Sequence, residues 1–315
     1  MTRPVQVELS AVIVTLEAHG ARMRPMVLTP PGPEGRDLPT AAFDPDRHRT
    51  LHQALAEWVE ARTGIPLDYI EQLYTFGDPR RSAARNPSGP HTVSIGYLAL
   101  ARWEAARLAS DWTPWTHWFP WEDLRDGVPP VLGGVILPRL EAWAGETGAA
   151  AVRRERVAAL FGVGGAGWRD ELVLERYELL YSARLVAEAW RDRGEPPPVD
   201  LPALGAPASR DHRRILATAI GRLRGKLKYR PVLFDLVGET FTLYELQRAA
   251  EAVSGVLLHK QNFRRMVERS GLIEPTGTHS SRHGGRPAAE YRFSAEAAWE
   301  RRAAAVRFGG ARRGG

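Results

Sequence analysis

The sequence predicts a mixed α+β / α/β fold: an N-terminal α/β sandwich, a helical middle segment, and a C-terminal unit of three helices and a β-hairpin. Three observations lead to this prediction. The first hundred residues place strand-like segments around one amphipathic helix. Residues 103–192 then carry helical patterns, and a Pro- and Ala-rich stretch, 193–209, follows them. Beyond that stretch come three further helical patterns and two short strands.

The composition is that of a soluble globular protein of 315 residues, long enough for two domains. The absence of cysteine excludes disulfides, thiolate nucleophiles and the common structural zinc sites. The N-terminus carries Glu8 inside its apolar part, and we expect a strand there, not a signal peptide. No apolar run approaches the ~20 residues that span a membrane, so a cytoplasmic protein is expected.

In the N-terminal part, VQVELSAVIVTLE and MRPMVLT predict two paired strands, and the Gly- and Pro-rich PPGPEGRDLPTAAFDPD predicts a loop. The stretch LHQALAEWVEARTGIPL, residues 51–67, has helical spacing of its apolar residues and ends at Gly64 and Pro66. DYIEQLYTFGD and HTVSIGYLALAR predict two further strands on either side of a loop. This order suits an α/β sandwich.

The middle segment begins with a tryptophan cluster, since residues 103–121 hold five of the ten tryptophans. Such a cluster is compatible with stacking on a ligand ring, but core packing is the more common role of Trp. Helical patterns follow at 131–147, 152–161 and 169–191. The apolar stripe of the last pattern favours packing within its own domain, with a dimer interface as the alternative.

The C-terminal third has the order helix, helix, helix, hairpin, which is that of a winged helix-turn-helix. Thr242 with Glu245 forms a capping box, and Gly255 ends the helix that it starts. From residue 210 to residue 293 there are 16 Lys/Arg against 8 Asp/Glu, a surplus expected of a nucleic-acid binder or of a solvated Arg-rich surface.

The second helix of the helix-turn-helix, within LHKQNFRRMVERSG, enters the major groove in such modules. We expect Phe263, Met266 and Val267 to anchor it to its own core. A winged helix used only for protein–protein contact is the alternative. The residues predicted to bind DNA are Thr242, Lys260, Gln261, Asn262, Arg264, Arg265, Arg269 and, in the hairpin loop, Arg282 and Arg286.

Two stretches resemble known families. The spacing in 51–67 resembles the helix of a Nudix box, in which carboxylates hold magnesium on a pyrophosphate. Here the motif's Arg and first Glu fall on Glu57 and Trp58, and its Glu-Glu pair falls on Ala61 and Arg62. The second stretch resembles the C-terminal domain of the Nudix-related transcriptional regulators of the NrtR group. It reads TLYELQRAAEAVSGVLLHKQNFRRMVERSGLIEPTG and is followed by GGRPAAEYRF. The longer middle segment and the FGD and HKQNFRR motifs are most similar to the NadQ-type repressors of NAD biosynthesis.

The resemblance implies a DNA-binding repressor of NAD biosynthesis genes that is not an enzyme. It implies a dimer on palindromic operator DNA and a Nudix-like domain that senses a nucleotide, NAD, ATP or ADP-ribose. The alternative function is a magnesium-dependent Nudix hydrolase. Ala61 and Arg62 count against it, because alanine offers no oxygen to a metal ion and arginine would repel a cation. Candidate phosphate contacts are Arg62, Arg80, Arg81 and Arg85, with no resident cofactor or metal expected. The expected domains are 1–102 (degenerate Nudix-like sensor), 103–192 (Trp-rich helical extension), 193–209 (linker), 210–295 (winged helix-turn-helix) and 296–315 (flexible basic tail).

Overall fold

The computed structural model describes residues 4–33, 35–67, 69–78, 89–107, 109–146, 148–227, 232–280 and 287–294. Its N-terminal part is a mixed six-stranded sheet. The strands run in the order β6-β7-β1-β2-β8, and β5 also pairs with β1. A two-residue hairpin, β3 with β4, stands apart from this sheet. The strands are β1 (Val5–His19), β2 (Arg22–Leu28), β3 (Pro31–Gly32), β4 (Gly35–Arg36), β5 (Thr40–Ala42), β6 (Tyr69–Phe76), β7 (His91–Leu100) and β8 (Trp112–Pro114).

The long strand β1 is the centre of this sheet. It runs parallel to β7 from Val5 to Val14 and antiparallel to β2 from Val14 to His19. Its side chains alternate between two separate cores because successive residues of a strand point to opposite faces. Leu9, Ala11 and Ile13 enter one core, and Val12, Val14 and Leu16 enter the other.

Helix α1 (Leu51–Thr63) covers the first of these faces. Its N-cap is Thr50, whose hydroxyl accepts from the Gln53 N–H, and it ends at Gly64 with φ 69°. Its buried residues are Ala54, Leu55 and Val59, which pack in the core of Leu9, Ala11 and Ile13. The predicted helix and its stop are therefore observed.

The middle segment covers the opposite face of the sheet. Trp115, Trp118 and Trp121 are all buried to 2% exposure or less and lie in the larger core. The core interpretation of the tryptophan cluster holds for these three. The helical elements of this part are α2 (Trp103–Ala106), a 3₁₀ turn at Trp115–His117, a π-helical turn at Leu132–Ile136, α3 (Leu137–Gly145), α4 (Ala150–Phe161), α5 (Val173–Ser182) and α6 (Ala187–Arg191).

The helical pattern over 169–191 is two helices in the structure. Helix α5 ends before Ala183, and Arg184 takes a left-handed conformation with φ 56° before α6 begins. The apolar stripe across both helices, including Tyr177 and Leu180, is buried in the chain's own core. This stripe therefore packs within its own domain.

The stretch 193–209, predicted to be a linker, packs closely at its C-terminal end. Leu204, Ala208 and Ser209 are almost fully buried. Gly205 adopts φ 75°, and a Cβ there would lie 2.2 Å from the Trp118 carbonyl oxygen. The composition rich in Pro and Ala predicted a linker, and the C-terminal end of this linker packs against the tryptophan segment.

The C-terminal module is a winged helix-turn-helix. Helix α7 (His212–Leu227) packs against α5 and against β1, β6 and β7, so it joins the module to the sheet. The module also contains a three-stranded sheet of order β10-β11-β9. The elements after α7 are a 3₁₀ turn at Val232–Asp235, β9 (Thr240–Thr242), α8 (Leu243–Ser254), α9 (Lys260–Arg269), β10 (Ile273–Ser280) and β11 (Ala288–Phe293).

One hydrophobic core runs through most of the molecule. It extends from Val12 in the sheet through the tryptophan segment to Phe263 and Val267 in α9. Within the described residues, no helix is long and apolar enough to cross a membrane.

Candidate nucleic-acid interface and ligand cavity

The helix-turn-helix is formed by α8 and α9 and the turn between them. Thr242 caps α8, because its hydroxyl accepts from the Glu245 N–H at 3.2 Å while Glu245 accepts from the Thr242 N–H at 2.7 Å. The helix ends at Gly255 with φ 74°. Glu251 Oε1 then accepts from the Leu258 N–H at 3.0 Å and fixes the turn. The predicted capping box and stop are both present.

Helix α9 divides into a buried side and a polar side. Phe263 and Val267 are 5% and 9% exposed and pack under the helix. All six residues of this helix that were predicted to bind DNA lie on its exposed surface: Lys260, Gln261, Asn262, Arg264, Arg265 and Arg269.

One prediction around this helix differs from the structure, and another is not tested by it. Met266 is 60% exposed, so its expected role as a core anchor is wrong. Phe263 and Val267 alone form the buried side of the helix. Thr242 is 3% exposed, and its hydroxyl is used in the capping box. Its contact with DNA stays a prediction.

The hairpin beside α9 is the expected wing. Strands β10 and β11 pair antiparallel, and the Arg292 Nε donates to Glu274 Oε1 at 2.8 Å across them. Arg282 and Arg286 lie outside the described residues, as do Arg80, Arg81 and Arg85 of the sensor loop.

Much of the positive charge counted in the C-terminal third is buried, not DNA-facing. Arg213, Arg214 and Arg224 on α7 are each 3% exposed or less. Arg213 pairs with Glu188 at 3.3 Å, and Arg214 pairs with Glu178. These three arginines of α7 form interior ion pairs, which charge counting could not separate from the exposed set on α9.

The most buried of these pairs joins three segments of the chain. Glu122 accepts from Arg176 at 2.6 Å and from Arg224 at 2.5 Å, and all three side chains are fully buried. Burial opposes ionisation of this carboxyl, but the two guanidinium charges outweigh it and lower the Glu122 pKa. Arg224 also donates to the Val253 carbonyl at 2.9 Å, near the end of α8. The cluster thus holds the helix-turn-helix on the tryptophan segment.

A cavity of about 340 Å³ lies where α1 meets the start of α7. It has a size typical of small-molecule sites, ~300–1,000 Å³. Trp58 and Arg62 line it from α1, and the Arg62 guanidinium lies 5.7 Å from the Trp58 ring centroid. The remaining lining comes from two segments distant in sequence: Pro30, Pro31, Gly32, Pro33, Asp37, Leu38, Pro39 and Thr40, and then Ser209, Arg210 and His212.

Asp37 is the acidic group of this cavity. Its Oδ1 accepts from the Ser209 N–H at 2.9 Å and lies 3.2 Å from His212 Nδ1. Burial alone would raise the pKa of this carboxyl, but the hydrogen bonds and charge of His212 and Ser209 lower it to about 2. The cavity therefore has a carboxylate that is already hydrogen-bonded to its neighbours, together with the arginines Arg62 and Arg210.

The Nudix positions of α1 do not fit a magnesium site. Trp58, Ala61 and Arg62 stand where the Nudix motif has its three glutamates. Glu57 stands at the motif's Arg position and accepts from Gln53 Nε2 at 2.7 Å. Over the part of the chain that the structure describes, no group of three or more His, Asp or Glu side chains could hold a metal ion.

Fold and site together define a class: an α/β sandwich with a Nudix-type helix, joined through a helical segment to a winged helix-turn-helix. The particular resemblance is to NrtR. Residues 233–293 match the model of the NrtR DNA-binding winged helix domain. This confirms the NrtR resemblance predicted from the motifs, and the finer resemblance to NadQ-type repressors stays a prediction.

A curated relative matches part of the chain. The "ADPR responsive transcriptional repressor NtrR" of Acinetobacter baylyi (strain ATCC 33305 / BD413 / ADP1) is 40% identical over 84 residues, 27% of this chain. The match spans 33%, about a third, of the length of that relative.

Solved structures resemble the whole chain. The structure of Shewanella oneidensis NrtR complexed with a 27mer DNA has 21% identity and a TM-score of 0.54, covering 93% of this chain and 95% of that chain. A MutT/nudix family protein from Enterococcus faecalis has 15% identity and a TM-score of 0.51, with coverage of 93% and 89%. These likenesses confirm the predicted fold class of a Nudix-like sandwich with a C-terminal winged helix.

Proposed function

We propose that this protein is a transcriptional repressor that binds operator DNA through α9 and whose DNA affinity is set by a nucleotide. The observation that carries the proposal is the surface of α9, which presents six polar or basic side chains away from its buried Phe263 and Val267. Arg, Lys, Asn and Gln at such positions form bidentate contacts with base edges in the major groove. The NrtR-type domain match at 233–293 and the DNA-bound Shewanella NrtR structure support the same function.

The nucleotide binds in the cavity between α1 and α7 in this proposal. Arg62 supplies positive charge for a phosphate, and Trp58 supplies an aromatic face beside it. NAD, ATP and ADP-ribose are the candidates, and the Acinetobacter relative, described as ADPR responsive, favours ADP-ribose. Arg80, Arg81 and Arg85 remain further candidates for phosphate contact.

Three other parts of the proposal follow from the same resemblance. The protein acts in the cytoplasm as a homodimer on a palindromic operator, because paired half-sites match paired recognition helices. Its target genes are those of NAD biosynthesis, in line with the NadQ-like features of the sequence. It has no hydrolase activity, since the Nudix positions lack their carboxylates. Magnesium-dependent hydrolysis of ADP-ribose to AMP and ribose 5-phosphate would contradict this last part.

The test is a mobility-shift assay with duplexes that the full-length protein selects from a random DNA library. Arg264→Ala with Arg265→Ala removes two exposed cations of α9 and should abolish specific retardation while the fold and the nucleotide affinity stay unchanged. Arg154→Ala with Arg169→Ala is the matched control, because both side chains are more than half exposed in surface ion pairs away from α9. Specific retardation by the α9 double variant at wild-type affinity would overturn the proposal.

A further inference from the structure

We infer that the segment Ser209–His212, at the start of α7, is part of the nucleotide site, so that the ligand touches the helix that carries the DNA-binding module. The inference rests on the proposed function and extends the site beyond the Nudix-like sandwich. Its first support is the cavity itself, since Ser209, Arg210 and His212 line it together with Trp58 and Arg62. A ligand that fills this cavity contacts residues of both segments.

The second support is the backbone of Arg210, which has φ 51°. A left-handed conformation is unfavourable for a residue with a Cβ and persists only where its surroundings fix it. Here Arg191 holds the segment, because its guanidinium donates to the Ala208 carbonyl at 2.6 Å and to the Arg210 carbonyl at 3.0 Å. The structure thus keeps a strained arginine at the wall of a cavity, which is typical of a ligand contact.

The third support is His212, which is 4% exposed. Its Nδ1 lies near Asp37, but its Nε2 is buried with no hydrogen-bond partner among the described residues. A buried polar atom without a partner destabilises the fold, so a ligand oxygen or nitrogen that hydrogen-bonds to it removes that cost.

The charges of the site identify the chemical class of the ligand. Arg62 and Arg210 both line the cavity, and Asp37 is already held by Ser209 and His212. Arg210 forms an ion pair with Glu8 through its Nη1. Because a guanidinium has five N–H donors in a fork, this pairing leaves donors for a phosphate oxygen. A diphosphate bound between the two arginines fits this arrangement.

The position of the segment gives the ligand a direct connection to the DNA-binding helices. Helix α7 runs from His212 to Leu227 without a break, and its Arg224 donates to Val253 near the end of α8. A rigid helix that is touched by the ligand at one end and held to α8 near the other is a packed path between the two sites. The ligand therefore acts on the placement of α8 and α9 through α7.

The test uses isothermal titration calorimetry of ADP-ribose into the full-length protein and its variants. Arg210→Asn removes the charge but keeps a residue that tolerates φ > 0. It should weaken ADP-ribose at least about tenfold, the loss expected for a charge-assisted contact. Arg222→Asn is the control, because Arg222 lies on the same helix, is 51% exposed and forms a loose ion pair with Glu71 at 3.9 Å. It should bind as the wild type does.

A second readout separates a ligand contact from a structural role. The affinity of Arg210→Asn for DNA without nucleotide should match the wild type, while the nucleotide concentration that gives half the change in DNA binding rises at least about tenfold. Should this variant unfold, Arg210→Gly removes the same charge and relieves the strain.

The outcomes are distinguishable. If Arg62→Ala weakens ADP-ribose but neither Arg210 variant does, this inference is overturned and the proposed function stands. If NAD, ATP and ADP-ribose all fail to bind the wild type, the sensor part of the proposed function falls and this inference falls with it. Weakening by Arg62→Ala and by an Arg210 variant, with Arg222→Asn unchanged, supports both.

Discussion

The buried cluster of Glu122, Arg176 and Arg224 predicts a large and measurable loss of stability when its carboxylate is neutralised. Glu122→Gln keeps the shape of the side chain but removes the negative charge between two fully buried guanidinium groups. Breaking a buried ion pair by removing one partner costs about 3–5 kcal/mol, because an uncompensated charge stays buried. Backbone carbonyls already accept from both arginines, so we expect the lower half of that range.

The free energy of unfolding should be measured by urea denaturation of the full-length protein, with the slope of the transition compared between variants. Glu141→Gln is the matched control, since Glu141 pairs with Arg154 at 2.6 Å but is 59% exposed. An exposed pair contributes about 0–1 kcal/mol, so the control should lie close to the wild type. A loss below about 1 kcal/mol for Glu122→Gln would refute the reasoning, because it would mean that water reaches the cluster.

Two further predictions follow from the site and from α9. Asp37→Asn should make the free energy of unfolding fall less steeply between pH 4 and pH 2. The pKa of the Asp37 carboxyl is lowered from the ordinary 3.8 to about 2, so the ionised carboxyl stabilises the fold above pH 4 and loses that contribution as the pH falls towards 2. Allowing for solvent access, the contribution is about 1–2 kcal/mol, and an unchanged pH dependence of acid unfolding would contradict it. Met266, 60% exposed among the basic residues of α9, should contact a thymine methyl group. Replacing one thymine of the selected duplex by deoxyuracil should then weaken wild-type binding and leave Met266→Ala unaffected; equal weakening of both proteins would count against the contact.

Local features of the sequence predicted local features of the structure. The capping box at Thr242, the stop at Gly255 and the buried positions Phe263 and Val267 of α9 depend on residues three or four positions apart and were predictable, whereas Met266 was assigned to the wrong side. The same holds for α1 and its end at Gly64. Periodicity and capping act within one element, so one sequence is enough to find them.

Features that depend on distant partners were not predictable. Arg213, Arg214 and Arg224 look like solvated charges until the carboxylates of Glu188, Glu178 and Glu122 are known to lie beside them. The cavity likewise joins Arg62 to a segment almost 150 positions further along the chain. No signal in the sequence of 209–212 marked it as part of a site, although a charged residue with positive φ next to a buried histidine marks it once the structure is known.

The continuous core has a consequence for how the molecule can move. Because one apolar interior runs from Val12 to Val267, and because the end of the 193–209 stretch is buried against the tryptophan segment, the two lobes lack a hinge at that stretch. Cutting the chain at residue 209 to isolate the DNA-binding lobe would expose the buried stripe of α7 and leave Arg224 without Glu122. A nucleotide that acts as proposed would therefore shift packed helices by small amounts and would not swing one lobe against the other.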